Sequence, residues 1–204
     1  YKFRLETFGS GSFDGWNSSV FGYSDMFENP SSIPGFSDIN RYIYPDSLQS
    51  IVSSFQCSPN VLTIGNYSND SGYVNKNGNW LNETGKIRGQ LAETSSKGPS
   101  RTGLIKPEIA ASGDVTNSSY PLFLIDQFIS GGNDSLLALG GMHYRNGGTS
   151  MASPVVAGVG ALFLEKCPAA TQADFMKAII KNAYTDSNTG TVPNFAYGFG
   201  KLNG

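Results

Sequence analysis

The chain of 204 residues carries 14 basic and 16 acidic side chains, for a formal net charge of −2, and 39% of its residues are apolar. That share of core-forming residues excludes a disordered chain, and no basic block indicates a nucleic-acid surface. The longest apolar run, residues 155–164, is about half of the roughly 20 residues that a membrane helix needs. We therefore expect a folded domain without a nucleic-acid partner or a membrane span.

The first 46 residues differ in composition from the rest. Residues 1–7 alternate apolar and polar side chains, which predicts a half-buried strand. Glycines and serines at 9–12 predict a turn, and residues 13–16 predict the returning strand of a hairpin. Residues 17–46 are rich in Ser, Asn, Pro and Gly and are interpreted as loop. The sequence thus divides into a short β hairpin and loop region, 1–46, and a main region, 47–204.

The middle of the chain shows three patterns. Apolar side chains at i and i+4 within residues 47–55 predict a short helix, and the continuous apolar run 61–65, closed by a glycine, predicts a strand buried on both faces. The polar stretch 66–89 is interpreted as loop.

The last third is the most regular part. Residues 150–165 lack a polar face, which predicts a central helix buried all round, with Pro154 in its first turn. Thr171 followed by Asp174 resembles a capping box and opens an amphipathic helix. Its predicted inner face comprises Phe175, Met176, Ile179, Ile180 and Ala183. Buried strand, buried helix and surface helix together predict an α/β fold with a largely parallel sheet.

The chemistry is carried by GGTSMASP at residues 147–154, followed by VVAG. This pattern places Ser150 at a helix N-terminus, where free N–H groups and the positive end of the helix dipole stabilise negative charge. The preceding glycines allow another backbone to approach closely. A serine nucleophile whose own amide helps to form an oxyanion hole fits this position. The alternative is that Thr149 or Ser150 only caps the helix.

The same motif resembles the nucleophile motif of subtilisin-like serine peptidases, the subtilases. Val155 stands where that family usually has His. Upstream, residues 95–100 and 103–113 are similar to the family's SSRGPT and GRIKPDIAAPG stretches, with Glu108 for the usual Asp and Ser112 for the usual Pro. The run 61–65 resembles the family's buried VIxVG strand, and residues 197–202 resemble its closing YGxGxV element.

The resemblance implies a subtilisin-like sheet with a central nucleophile helix and a serine endopeptidase that acts on polypeptides through Ser150. The family's triad runs Asp, His, Ser along the chain. Its Asp and His motifs, and its oxyanion-hole Asn, would therefore precede residue 1. Residues 47–204 would form the C-terminal part of a catalytic domain that needs its N-terminal portion. Residues 1–46 resemble the end of a β-rich, jelly-roll-like insertion found in some subtilases.

Several expectations accompany this interpretation. Low charge and many small polar residues favour a secreted or cell-envelope protein. No cofactor is expected, and no run of acidic residues predicts a calcium site. His143, the only histidine, is expected to be a surface or groove residue, and the alternative is a catalytic base. Cys57 and Cys167 form either a disulfide or two separate buried thiols. The alternative function is a catalytically silent, subtilase-like scaffold.

Overall fold

The computed structural model describes residues 6–11, 13, 15, 34–35, 42, 44 and 51–203. The chain divides into two compact units, Tyr1–Ser47 and Leu48–Gly204. In the first unit the rings of Tyr42 and Tyr44 meet edge to face, with centroids 5.4 Å apart. Of the first predicted strand only residues 6 and 7 are described, and they are irregular. Most of the predicted hairpin and of the loop 17–46 lies outside the described residues.

The second unit contains six strands and three α-helices within its described residues. It also has two 3₁₀ turns: Ser54–Cys57 precedes the first strand, and Asp134–Leu136 follows the first α-helix. In chain order the strands and helices are β1 (Ile64–Ser68), β2 (Gly72–Val74), β3 (Trp80–Asn82), β4 (Ile109–Asp114), β5 (Thr116–Ser119), α1 (Leu122–Ser130), β6 (His143–Asn146), α2 (Thr149–Lys166) and α3 (Gln172–Asn182).

A parallel pair of strands forms the centre of this unit. β1 and β4 run parallel, with Ile64 opposite Ile109, whereas β2–β3 and β5–β6 are antiparallel pairs. α2 and α3 pack on one face of the parallel pair and bury an apolar cluster there. The predicted α/β fold with parallel strands is thus confirmed. The cluster consists of Ile109, Ala111, Ala152, Val156 and Ile179.

The predicted strand at 61–65 begins three residues late, because the backbone before β1 is bound by side chains. Lys106, which is fully buried, donates from Nζ to the Val61 carbonyl at 2.6 Å and to a second carbonyl nearby. Its partner Glu108 accepts the amide of Thr63 at 2.8 Å. These backbone groups are satisfied without a neighbouring strand, so the regular ladder starts only at Ile64.

The interpretation of residues 66–89 as loop is wrong. The segment contains the end of β1 and the β2–β3 hairpin. The Asn75 side chain accepts the amides of Asn77 and Asn79 at 3.0 Å each, and Gly78 adopts a φ of 81°. Asn-Gly between two short strands is a strong hairpin signal, and it is present here at 77–78. The strands on either side are only three residues long and contain polar residues, so the apolar alternation that marks a strand is weak here.

The helix predicted at 47–55 is largely absent from its described part. Residues 51–53 are irregular, and only the 3₁₀ turn Ser54–Cys57 follows. Val52 is buried, but Phe55 is 87% exposed. One inward apolar side chain does not stabilise a helical turn of this length, since isolated helices shorter than about 12 residues are marginal.

The prediction that α2 is buried all round is wrong for the described residues. Only Ala152 and Val156 are buried, while Val155, Leu162 and Leu164 are at least 43% exposed. The reason is that two parallel strands and α3 cover only one side of the helix. Pro154 is the sixth residue of α2, beyond the first turn, so its missing amide leaves the Ser150 carbonyl without an intrahelical partner.

α3 forms as the sequence predicts. The Thr171 side chain accepts the Asp174 amide, and the Asp174 carboxylate accepts the Thr171 amide at 2.9 Å, which completes the capping box. Ile179 is buried, and three of the other predicted inner residues pack against the same cluster. These are Phe175, Ile180 and Ala183.

The two cysteines are free: Cys57 is half-buried and Cys167 is exposed. The disulfide is therefore not formed, and the alternative of two buried thiols is wrong as well. Among the described residues no helix is long and apolar enough to cross a bilayer, and no group of three or more His, Cys, Asp or Glu side chains is placed to hold a metal ion.

Candidate active site

The turn between β6 and α2 carries the residues that the sequence singles out. Gly148 lies at the N-cap of α2 with a φ of 124°, a left-handed conformation that favours glycine. Ser150 is the second residue of the helix and is exposed. Within residues 51–203 its hydroxyl has no hydrogen-bond partner. The serine is therefore accessible to an incoming group.

The capping alternative does not fit this geometry. The N-cap is a glycine, no side chain caps the helix, and both Thr149 and Ser150 lie inside it. The first backbone bond at this end joins the Met151 amide to the Gly148 carbonyl at 2.9 Å. The amides of Thr149 and Ser150 remain without an acceptor in the described part of the chain. Unpaired amides at the positive end of an 18-residue helix favour a negatively charged group there.

The end of β4 packs against this turn and is hydrogen-bonded to it. The Gly148 amide donates to the Gly113 carbonyl at 2.8 Å. Gly113 itself is so close to α2 that a Cβ at this position would lie 2.6 Å from the Ala152 amide nitrogen. Only glycine fits here, because the Cβ and the amide nitrogen of Ala152 and the Oδ1 atom of the buried Asn66 already occupy this space. The Gly that ends the 103–113 block thus lets the strand reach the start of the nucleophile helix.

Asp114 follows that glycine and forms the centre of a charged cluster. Its carboxylate contacts Lys86 Nζ at 2.7 Å and Arg145 Nη2 at 3.3 Å, and the Arg145 guanidinium forms a bidentate pair with Glu83. Burial alone would raise the pKa of Asp114. The hydrogen bonds from Lys86 and from the Val115 amide, with the charges of Lys86 and Arg145, outweigh burial and hold this pKa below its ordinary value.

A cavity of about 580 Å³ opens beside the turn. Its polar lining includes Glu83 and the three residues Arg145, Asn146 and Gly147, which lead into the turn; Ser150 itself does not line it. Aromatic and aliphatic side chains complete the lining. They are Tyr73, Leu81, Leu136 and Tyr144. The cavity thus borders the turn at Gly147, and its mixed apolar and charged lining is of the kind that binds ligands.

His143 is exposed at the start of β6, opposite Ser119. The strand runs from His143 to Asn146 towards the turn, and three residues of extended chain span about 10 Å. This placement favours the surface interpretation of His143 over that of a base, although the role itself stays a prediction.

The sequence analysis missed the charged cluster. Glu83 and Lys86 lie in the stretch interpreted as loop, and Asp114 and Arg145 flank recognised blocks without belonging to them. One signal was available. Two consecutive glycines, Gly147 and Gly148, indicate that another group packs closely against this turn. In the structure that group is Asp114, because a Cβ on Gly147 would lie 2.3 Å from Asp114 Oδ1.

The geometry agrees with the comparison to known families. The family model described as "Subtilase family" matches residues 22–200. The chain belongs to the subtilase family. This match includes the 95–113 blocks, the turn at Ser150 and most of the closing segment.

Two curated relatives come from Bacillus subtilis (strain 168). The chain is 35% identical over 114 residues to the serine protease AprX, covering 55% of this chain and 24% of AprX. It is 36% identical over 122 residues to Bacillopeptidase F, covering 57% of this chain and 7% of that protein. The chain thus spans less than a quarter of the length of each of these relatives.

The fold is also similar to that of a solved protease structure. The CspB protease of Clostridium perfringens superimposes with a TM-score of 0.51 at 22% identity, over 78% of this chain and 28% of CspB. At this identity the likeness shows the fold alone, and it agrees with the parallel pair and the helix that begins beside Ser150.

Proposed function

We propose that this chain is the serine-bearing part of a secreted or cell-envelope endopeptidase. The observation that carries the proposal is the exposed Ser150 hydroxyl at the start of α2, beside the amides of Thr149 and Ser150, which have no acceptor within residues 51–203. Ser150 Oγ would attack a peptide carbonyl carbon, and the Ser150 amide would donate to the resulting oxyanion. Loss of the amine leaves an ester on Ser150, which water hydrolyses to release the acid and restore the serine.

The mechanism needs a general base, because a serine hydroxyl alone is a weak nucleophile. The described part of the chain places no base at Ser150: its one histidine begins β6, at the far end of that strand from the turn. We propose that the triad His and Asp, and a side-chain oxyanion donor, come from an N-terminal portion of the same protein. "Complete protein" below means this chain joined to that portion.

The exposed side of α2 supports this arrangement. Leu162 is 64% exposed and Leu164 is 48% exposed, next to small exposed residues at Ala157, Gly158 and Ala161. Small residues allow another layer to approach closely, and a helix that is apolar all round is typical of a central position. A segment packed here would bury these side chains and bring its own groups to the N-terminal end of the helix.

The test is labelling of the complete protein with a fluorophosphonate, which reacts with activated serines. We expect Ser150→Ala to abolish labelling and to lower peptide hydrolysis by several orders of magnitude, as removal of a catalytic serine does. Ser153→Ala, an exposed serine one turn along the same helix, is the control and should change neither. Persistent labelling of the Ser150→Ala protein would refute the assignment, and an unlabelled wild type would favour the silent scaffold.

Residues 1–204 alone should not hydrolyse peptides. Expression of this chain with and without the upstream portion, assayed on casein, measures the dependence directly. Turnover by the chain alone that is lost in His143→Ala would make His143 the base and would contradict the proposal.

A further inference from the structure

The charged cluster around Asp114 lies directly against the turn that carries Ser150. Two consecutive residues of β4 contact two consecutive residues of that turn: Gly113 accepts the Gly148 amide at 2.8 Å, and Asp114 Oδ1 lies where a Cβ on Gly147 would be only 2.3 Å away. The turn contains two glycines in sequence, which have more conformational freedom than any other pair. Its geometry therefore depends on what is packed beneath it.

We infer that Asp114 is a positioning residue for Ser150, which sets the geometry of the Gly147–Gly148 turn and so the placement of the nucleophile. The inference rests on the proposed function, because the turn matters for catalysis only if Ser150 is the nucleophile.

Both oxygens of Asp114 are engaged, so the carboxylate is fixed in place. Oδ1 accepts the Val115 amide at 3.0 Å and Arg145 Nη2 at 3.3 Å, and Oδ2 accepts Lys86 Nζ at 2.7 Å. The side chain is 7% exposed. A nearly buried carboxylate with three donors is rigid, and charge-assisted bonds of this kind are about twice as strong as neutral ones.

The residue directly after Asp114, Val115, has an unfavourable backbone conformation. Val115 has a φ of 52°, which is unfavourable for a β-branched residue, and its amide is bound by Asp114 Oδ1. Such strain costs about 1–3 kcal/mol and persists only where the surroundings determine it. Val115 separates Asp114, the last residue of β4, from Thr116, the first residue of β5, and the bond from its amide holds the Asp114 side chain at this junction.

The cluster also links the turn to the cavity. Glu83, which directly follows β3, forms the bidentate pair with Arg145, and both line the cavity together with Gly147. Lys86 reaches Asp114 from the same connection. The two cations balance the two carboxylates, so the intact cluster is neutral. Asp114→Ala would leave one net positive charge beside the turn, which by itself favours an oxyanion, so slower acylation of that variant would report the position of Ser150 and not a loss of favourable charge.

The experiment measures the acylation rate constant of Ser150 by a fluorophosphonate, with kcat and KM for a peptide substrate, in the complete protein. We expect Asp114→Ala to lower the acylation rate constant and kcat by about 10- to 100-fold, since a misplacement of 1 Å can cost about 100-fold. KM should change by less than about threefold, because a positioning residue that does not touch substrate acts on kcat. Asp114→Asn, which keeps an acceptor for Val115, should have a smaller effect.

The control is Asp134→Ala, which breaks the Lys76–Asp134 ion pair at 2.6 Å, a pair of similar length that is more exposed and whose residues do not line the cavity. It should leave the rate constant unchanged. If Asp134→Ala slows acylation as much as Asp114→Ala does, a loss of general stability explains both results and the inference is wrong.

A double-mutant cycle tests the contact itself. Gly147→Ala adds a Cβ that would lie 2.3 Å from Asp114 Oδ1. In Asp114→Ala that oxygen is gone, and the nearest remaining atom is Nη1 at the flexible end of Arg145, at 2.9 Å. We expect the double variant to react at least about tenfold faster than the product of the two single effects, which is a coupling of about 1.4 kcal/mol. Multiplicative effects would overturn the inference. An unlabelled wild type would instead refute the proposed function, so the two failures are distinguishable.

Discussion

The two ends of α2 have different surroundings. At the N-terminal end Ala152 is fully buried, and Gly113 and Asp114 lie within van der Waals distance of the turn that starts the helix. At the other end Leu162 and Leu164 are about half exposed or more, and only the side facing α3 is packed, through Phe163 against Phe175 with ring centroids 5.5 Å apart. β4 thus packs closely against the turn before Ser150, while the body of α2 keeps apolar side chains exposed.

Gly113→Ala is the substitution with the largest expected effect at the tightly packed end. Its Cβ would lie 2.5 Å from Asn66 Oδ1 and 2.6 Å from the Ala152 amide nitrogen, so strand and helix must separate. Overpacking of this kind costs about 1–3 kcal/mol, and more where backbone is the obstacle. Urea unfolding of the complete protein should show a loss in this range. The control is Ser112→Ala, the neighbouring residue on the same strand, which removes an oxygen and adds no atom; an equal or greater loss at Ser112 than at Gly113 would contradict the packing explanation.

Leu162→Asp tests the exposed end. Within this chain the side chain is 64% exposed, so its own contacts predict little change. If the N-terminal portion covers α2, a charge would be buried in an apolar interface, and the burial of one leucine, about 1.5–3 kcal/mol, would be lost. We expect a lower melting temperature of the complete protein. Leu122→Asp, on α1 and 61% exposed, is the matched control and should be close to neutral. If both variants lower the melting temperature equally, the exposed side of α2 no longer supports the proposal that the N-terminal portion packs on it.

The same comparison explains which predictions from sequence succeed. Local signals are sufficient where the structure is local: the capping box at Thr171 and Asp174 and the helix around Ser150 form as the residues predict. The extent of burial of α2 depends on what lies over it, which its own composition does not determine. The start of β1 depends on Lys106, more than 40 residues away along the chain. The family blocks located Ser150, whereas the Asp114 cluster arises from side chains that only the fold brings together.

Acid should weaken the N-terminal end of α2 selectively, and this is the smallest of the three effects because a single carboxyl carries it. The pKa of Asp114 lies below its ordinary value. Burial raises this pKa, but the combined lowering by Lys86, the Val115 amide and Arg145 is larger. A carboxyl whose folded pKa is depressed stabilises the fold at every pH above its unfolded pKa of about 3.9, and this contribution is lost as the pH falls through the folded pKa. The wild type should therefore lose stability between pH 5 and strongly acidic solution in part through Asp114. In Asp114→Asn that part is absent, so the difference in unfolding free energy between the two proteins, measured by urea titration at a series of pH values, should shrink as the pH falls.

The control variant is Asp134→Asn, which removes the more exposed ion pair with Lys76. The pH dependence of its unfolding free energy should also differ from that of the wild type, but its acylation of Ser150 at neutral pH should be unchanged. If the difference between wild type and Asp114→Asn stays constant over the whole acidic range, the Asp114 carboxylate does not stabilise this end of the helix through its charge, and the asymmetry between the two ends rests on packing alone.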